Sequence, residues 1–265
     1  MSSSNIEIKP TGSFFKLDKE GFLINPSSQR KIQEEWKPLI NDIVTWYKDT
    51  FGDSLANVYI RGSVAKGEAI SGVSDIDTFA YITSKDFSND SLKKQKKVFI
   101  KKLIQKHALA TGVELETIPV EESTTREDMI FLNQSLCVYG KPIPVRKMKP
   151  NKEVIFHVYD IEKDIQWVKE FLKKENADTD IRNSCVWIMK RILRTGCELV
   201  VERSHKYTRD LYPCYEIFSK YYPEKSEDMK KVLFLALNPT TQKEEIEKVL
   251  HVFEGWLEEQ VKNVK

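Results

Sequence analysis

The fold is decided by residues 58–82, which read VYIRGSVAKGEAISGVSDIDTFAYI. Residues 58–60 predict a β-strand, and the Gly62-Ser63 pair after them predicts a tight turn into a short helix. Residues 75–82 predict a second strand. Eleven residues separate Ser63 from Asp75 and its partner Asp77. Gly-Ser and Asp-x-Asp are each common in proteins, but strand, Gly-Ser, this spacing, Asp-x-Asp and strand form a specific pattern.

The first half of the pattern suits a bound phosphate group. A glycine at position 62 lets the backbone approach a ligand closely, and the exposed N–H groups at the start of a helix favour an anion. The Ser63 hydroxyl can add a hydrogen bond to a phosphate oxygen. Lys66 and Ser74 flank the two halves of the pattern and are further candidates for phosphate contacts.

The second half of the pattern suits a divalent metal. Residues i and i+2 of a strand project to the same face, so Asp75 and Asp77 are predicted to point together. Two neighbouring carboxylates repel each other unless a cation lies between them. Mg²⁺ prefers carboxylate and phosphate oxygens, and two such ions can activate an attacking hydroxyl and neutralise leaving pyrophosphate.

The whole pattern, from Arg61-Gly62-Ser63 to Ser74-Asp75-Ile76-Asp77, resembles the nucleotidyltransferase superfamily related to DNA polymerase β. It is most similar to the bacterial branch that contains the aminoglycoside nucleotidyltransferases and the minimal nucleotidyltransferases. The resemblance implies transfer of a nucleoside monophosphate to a hydroxyl group, with release of pyrophosphate. ATP is the expected donor among the nucleoside triphosphates, and two Mg²⁺ ions are the expected cofactors.

The resemblance also implies a third carboxylate on a neighbouring strand. The strand predicted over residues 113–120 offers Glu114 and Glu116, which the two-residue period places on one face. Glu116 is preferred, because Leu115-Glu116 followed by β-forming residues looks like the corresponding strand of the aminoglycoside adenylyltransferases. In that role Glu116 would be a general base or a metal ligand. The alternative for either glutamate is a solvated side chain on an edge strand.

The remaining chain predicts an α+β protein of two domains. The first half is expected to contain a hairpin (14–24), a helix that opens at 26–28, a helix (91–110), a strand (113–120) and a helix (125–138). After a proline-rich passage at 141–150, every periodic segment predicts a helix. The expected division is a nucleotidyltransferase domain over 1–145, with a mixed sheet and flanking helices, and a helical bundle over 150–265.

Two cations of the helical half are candidates for the triphosphate. In the aminoglycoside adenylyltransferases a lysine of the helical domain contacts the triphosphate, and the segment after the second helix offers Lys206 and Arg209 for that role. The alternative is an ordinary charged surface loop.

Bulk composition narrows the possible partners and location. Lysine and arginine number 42 against 40 aspartates and glutamates, a balance that argues against an extended nucleic-acid surface. No run of eighteen apolar residues predicts a membrane span, and the first residues do not read as a signal peptide. The four scattered cysteines fit a reducing cytoplasm.

Three functions follow from these features. The first is transfer of AMP from ATP to a small hydroxylated acceptor, such as an aminoglycoside-like molecule. The second is nucleotidylation of a protein or tRNA partner, as in toxin–antitoxin pairs. The third is a sensor that binds ATP without turnover. Both aspartates and the candidate third acid argue against the sensor.

Overall fold

The computed structural model describes residues 7–83, 90–120 and 126–262. The chain divides into two units, one of Lys16–Met148 and the other of Met1–Phe15 together with Lys149–Lys265. The first contains a mixed sheet with flanking helices, and the second contains helices. The predicted α+β fold class is therefore confirmed.

Four strands within the described residues form one sheet in the first unit. They are β1 (Leu55–Arg61), β2 (Ile76–Ile82), β3 (Val113–Pro119) and β4 (Leu136–Gly140). The order across the sheet is β3-β2-β1-β4. β1 pairs antiparallel with both β2 and β4, whereas β2 and β3 run parallel. The two motif-bearing strands, β1 and β2, are thus the two central ones.

The described helices of this unit are α1 (Lys37–Phe51), α2 (Gly62–Lys66), α3 (Asp90–Lys106) and α4 (Arg126–Leu132). α1 begins later than the sequence predicts. Residues 29–31 and 34–36 form 3₁₀ turns instead, and Pro38 lies in the first turn of α1, where its missing N–H has no helical partner to lose.

The two faces of the sheet have different cores. One face carries Ile76 and Ala80 of β2 and packs in a cluster with α1 side chains such as Ile43. The opposite face carries a smaller cluster of Tyr59, Phe79, Tyr81 and Leu132, in which the Tyr59 and Phe79 rings stack at 5.1 Å. Because strand side chains alternate, Asp77 shares the face of Phe79.

Three elements predicted for this unit, a hairpin and two helices, match the structure to different extents. The hairpin is confirmed as a tight turn with a single antiparallel bridge between Leu17 and Leu23. The helix expected to reach residue 110 ends at Lys106. The helix expected over 125–138 was wrong in its second half, because 136–140 is β4; its predicted start at residue 125 lies outside the described residues. Cys137, Val138 and Tyr139 favour a strand once β1 offers a pairing edge.

The second unit contains α5 (His157–Lys174), α6 (Asp178–Ser204), α7 (Leu211–Tyr221), α8 (Ser226–Leu237) and α9 (Lys243–Lys262). Residues 13–15 pack with it: the Phe15 N–H donates to the Tyr207 carbonyl at 2.9 Å, and Thr208 Oγ1 donates to the Ser13 carbonyl at 2.8 Å. Residues 13–15 thus group with the helices of the second unit, whereas the sequence placed them in the first domain. Among the helices described in either unit, none has the length and apolar character that crossing a membrane requires.

A buried ionisable pair connects α5 and α6. His157 Nδ1 lies 2.6 Å from Glu198 Oε1, and both side chains are almost fully buried. Glu198 also accepts the N–H groups of Phe156 and Val158 at 3.1 and 3.0 Å, and so caps the start of α5. Burial raises the pKa of Glu198 from its ordinary 4.5 to about 8, although these N–H groups and Arg209 oppose the shift.

The same burial lowers the pKa of His157 well below its ordinary 6.5, and the positive charges of Arg209, Arg194 and Arg191 lower it further. The folded pair therefore keeps one proton up to about pH 8. In the unfolded chain, Glu198 and His157 together hold one proton at pH values between their ordinary pKa values of 4.5 and 6.5. Above pH 6.5 they hold none. From pH 6.5 to 8 the folded state thus binds one proton more than the unfolded state.

This difference predicts that the protein loses stability on the alkaline side. The free energy of unfolding should fall by about 2 kcal/mol between pH 6.5 and 8, since each pKa unit corresponds to roughly 1.4 kcal/mol. Urea unfolding at pH 5.5, 6.5 and 8.5 measures it. Glu198→Gln removes the titrating acid and should abolish the alkaline fall. Equal stability of the native protein at pH 6.5 and 8.5 would contradict this account.

Candidate active site

The two halves of the motif meet at Gly62. This glycine begins α2 directly after β1 and has a φ of +74°, which L side chains rarely adopt. A Cβ placed on it would lie 2.6 Å from Asp77 Oδ2. The Asp77 carboxylate therefore rests against the Gly62 backbone, and position 62 requires glycine for both its conformation and its clearance.

The two aspartates lie at the start of β2. Asp77 is half-buried within the strand, whereas Asp75 is exposed and directly precedes it. The Ile76 N–H between them donates to the Gly112 carbonyl at 3.0 Å, which fixes the position where β2 begins. A Cβ on Gly112 would lie 3.5 Å from Asp75 Cβ, an ordinary contact distance.

The loop between the two halves is closed by its own hydrogen bonds. Ser74 Oγ accepts the Ile70 N–H at 2.9 Å, and the Ser74 carbonyl accepts the Thr111 N–H at 3.0 Å. The side chain of Lys66 is mostly buried, with Nζ 4.0 Å from Glu68 Oε2. Ser74 thus shapes the loop, and phosphate contacts by Ser63, Lys66 and Ser74 stay predictions.

The register of β3 separates the two candidate glutamates. Glu114 is the Cα partner of Asp77, whereas Glu116 is the partner of Phe79, two residues further from the motif. Glu116 is exposed, and Glu114 is half-buried. The sequence preferred Glu116 as the third carboxylate, but the register places Glu114 beside Asp77. Which of the two acts there stays a prediction.

β3 is held in this register by side chains from three neighbouring elements. Tyr47 OH donates to the Glu116 carbonyl at 2.9 Å, and Thr78 Oγ1 donates to the Glu114 carbonyl at 2.6 Å. Lys96 Nζ donates to the Leu115 carbonyl at 2.7 Å. Burial raises the pKa of Tyr47, and the nearby negative charges of Glu116 and Glu114 act in the same direction, so its phenol keeps the proton that it donates.

The donor atoms at the motif suit a hard cation. Asp75 and Asp77 provide carboxylate oxygens, which Mg²⁺ prefers together with phosphate oxygens. No three histidines, cysteines, aspartates or glutamates of the described residues are grouped so that they could hold a metal. The predicted set of Asp75, Asp77 and Glu116 is therefore not assembled around one point, and the fit to Mg²⁺ rests on the aspartate pair.

Arg61 is a site residue whose role the sequence did not predict. Its Nη2 donates to Glu114 Oε2 at 3.0 Å, and its Cζ lies 4.8 Å from the centre of the Phe131 ring. The two charged side chains are 27% and 38% exposed. Ion pairs this exposed contribute roughly 0–1 kcal/mol to stability, so stability alone does not account for the arrangement. In the sequence, Arg61 could have been singled out by its position directly before Gly62.

The predicted cations of the helical half lie in the second unit. Lys206 is exposed, with Nζ 5.1 Å from the centre of the Phe14 ring. Arg209 lies with its Cζ 5.4 Å from the Phe156 ring, and its charge acts on the Glu198–His157 pair. Arg209 therefore belongs to a buried polar cluster. Contact of either cation with a triphosphate stays a prediction.

Comparison with known proteins finds one family model that matches part of the first unit. The nucleotidyltransferase domain family matches residues 29–133, which include both halves of the motif and β3. The spectinomycin adenyltransferase of Enterococcus faecialis, crystallised with ATP and spectinomycin, is similar over 85% of this chain and 98% of its own, with 14% sequence identity and a TM-score of 0.48. No curated protein sequence matches the chain.

Gly62 and Gly72 allow a matched test of the nucleotidyltransferase motif. Both have a φ of +74°, but a Cβ at Gly72 would meet nothing within 4 Å. Backbone strain should therefore cost both Gly62→Ala and Gly72→Ala about 1–2 kcal/mol of stability. Only Gly62→Ala should also displace the Asp77 carboxylate and weaken binding of Mg²⁺ and ATP by about 10-fold or more, a shift of 1.4 kcal/mol.

Thermal unfolding and isothermal titration with Mg²⁺ and a non-hydrolysable ATP analogue measure the two effects separately. Equal nucleotide affinity in the two variants would show that the contact between Gly62 and Asp77 has no role in binding.

Proposed function

We propose that this protein transfers AMP from ATP to a hydroxyl group of a small, amine-bearing acceptor of the aminoglycoside type and releases pyrophosphate. The observation that carries the proposal is the Asp77 carboxylate resting against the Gly62 backbone. That contact brings the phosphate-binding half and the acidic half of the motif together. The match of residues 29–133 to the nucleotidyltransferase domain family supports the reaction type.

Each motif residue takes a role that suits its position. Gly62 and Ser63 at the start of α2 would contact the triphosphate, with Lys66 and Ser74 beside them. Asp75 and Asp77 would hold Mg²⁺. Bound Mg²⁺ would neutralise charge on the triphosphate and on the leaving pyrophosphate. Lys206 and Arg209 are further cations proposed to bind phosphate.

The proposed transfer is a substitution at the α-phosphorus of ATP. The acceptor hydroxyl oxygen forms a bond to the α-phosphorus of ATP, and the bond from that phosphorus to the oxygen bridging the α- and β-phosphates breaks. Pyrophosphate leaves with that oxygen. The hydroxyl proton passes to a β3 carboxylate, Glu116 by sequence pattern or Glu114 by register. Positioning and charge neutralisation supply most of the catalysis in such a reaction.

A groove of the second unit supports an acceptor that carries positive charge. The groove is about 680 Å³ in volume and is lined by three aromatic side chains, Trp167, Phe171 and Trp187, together with Asp164, Glu175 and Asp180. Its other lining side chains among the described residues, Asn183 and Ser184, are neutral. Aromatic faces and carboxylates attract organic cations, which favours an amine-bearing molecule over a neutral polyol. We also place the enzyme in the cytoplasm, where its four free thiols would stay reduced.

Pyrophosphate release tests the proposed activity. Protein, Mg²⁺ and ATP would be assayed with amine-bearing and amine-free hydroxylated acceptors, and release is expected with the amine-bearing set. Asp77→Asn should lower the rate by at least about 10²–10³-fold, because it removes a charge at the reacting phosphate. Asp53→Asn changes an exposed aspartate outside the motif and is the control.

Wild-type transfer by Asp77→Asn would refute the proposed mechanism. ATP binding without pyrophosphate release on any acceptor would favour a sensor. Release that occurs only with tRNA or a protein partner would replace the small-molecule acceptor.

The groove yields a separate prediction about affinity for the acceptor. Trp167 is 55% exposed, so Trp167→Ala should leave the fold intact. It should raise KM for amine-bearing acceptors by about 5-fold or more, since a cation–π contact contributes roughly 1 kcal/mol or more. KM for ATP should not change. Val98→Ala, at a residue 56% exposed on α3 and outside the groove, is the matched control. An unchanged acceptor KM in Trp167→Ala would exclude this groove from acceptor binding.

A further inference from the structure

Three charged residues lie in a row across the sheet at the motif. Arg61 on β1 is the Cα partner of Asp77 on β2, and Asp77 is the Cα partner of Glu114 on β3. Partnered residues of neighbouring strands project to the same face of a sheet. Arg61 therefore shares one face with both acids and supplies a positive charge against their mutual repulsion.

The ion pair between Arg61 and Glu114 passes over the central strand. β2 lies between β1 and β3, so a bond from Arg61 Nη2 to Glu114 Oε2 at 3.0 Å has to span β2 beside Asp77. The guanidinium is held from its other side by the Phe131 ring of α4, 4.8 Å from Cζ. A planar guanidinium held by a ring and a carboxylate has little freedom left, so it can fix the position of Glu114.

We propose that Arg61 is a positioning residue that holds the Glu114 carboxylate beside Asp77 and thereby makes Glu114, rather than Glu116, the third carboxylate of the transfer site. This inference rests on the proposed function. It assigns Arg61 no contact with substrate and makes it act through Glu114 alone. Arg61 and Glu114 then act as a pair, so removing either side chain should lower kcat as much as removing both.

Kinetics of single and double variants test whether Arg61 and Glu114 act as a unit. Arg61→Ala and Glu114→Gln should each lower kcat for pyrophosphate release by about 10²-fold, with KM for ATP within about 3-fold of the native value. The Arg61→Ala/Glu114→Gln double variant should be no slower than the slower single variant. Arg61→Lys keeps the charge and should recover part of kcat.

Glu116 provides the comparison on the same strand face. Arg61 pairs with Glu114, whereas Glu116 lies two residues further along β3, so losses in an Arg61→Ala/Glu116→Gln variant should multiply. Multiplied losses in the Arg61→Ala/Glu114→Gln variant would overturn the inference. A KM for ATP raised 10-fold or more by Arg61→Ala alone would also overturn it, since Arg61 would then bind phosphate. A lowered Tm with native kcat would show a purely structural role and overturn it as well.

A crystal structure of Arg61→Ala with Mg²⁺ and a non-hydrolysable ATP analogue reports on positioning without turnover. The Glu114 carboxylate is expected to leave its place beside Asp77, and a Glu114 that stays there would overturn the inference. If native protein releases no pyrophosphate on any acceptor, the proposed function fails. Displacement of Glu114 in the variant would still support the positioning contact, so the two failures are distinguishable.

Discussion

The antiparallel pairing of β1 with β2 is the constraint on which the site depends, because it brings together residues that are fifteen or so positions apart in the chain. Arg61 and Asp77 are Cα partners at the end of this pairing, and Gly62 follows immediately. The positive φ of Gly62 turns the chain into α2 while leaving room for the Asp77 carboxylate. One strand pairing and one missing Cβ thus place an acid against the backbone that starts a helix.

The charges around this pairing are balanced locally. Asp77 and Glu114 lie on adjacent parallel strands, where two carboxylates alone would repel each other. Arg61 pairs with Glu114 across β2, and the carboxylate oxygens of Asp75 and Asp77 are of the kind that a hard cation prefers. Arg61 therefore offsets part of the repulsion between Asp77 and Glu114. Tyr47, Thr78 and Lys96 keep β3 in the register that makes this balance possible.

The sequence predicted those elements of the fold that depend on interactions between residues close together in the chain. Helical periodicity predicted that the chain after residues 141–150 is helical, as its described residues are, and the motif predicted β1, α2 and β2. β4 was missed because residues 136–140 become a strand only by pairing with β1, some eighty residues earlier. The Glu198–His157 pair was missed for the same reason, since forty-one positions separate its members. The choice between Glu114 and Glu116 depends on strand register, which a two-residue period leaves open.

The helical unit shows that a near-neutral net charge can conceal a local excess of acidic side chains. The chain carries a net charge of only +2, yet the described residues that line the groove between α5 and α6 are aromatic, acidic or neutral polar. Arg191 pairs with Asp164 at 2.8 Å, and its Cζ lies 5.1 Å from the centre of the Trp187 ring. Arg191 therefore offsets the charge of one acid of the groove and packs against one of its aromatic rings. Two further acidic side chains, Glu175 and Asp180, line the groove. A cation entering the groove would replace water with ring faces and carboxylates, which a neutral molecule of the same size could not exploit.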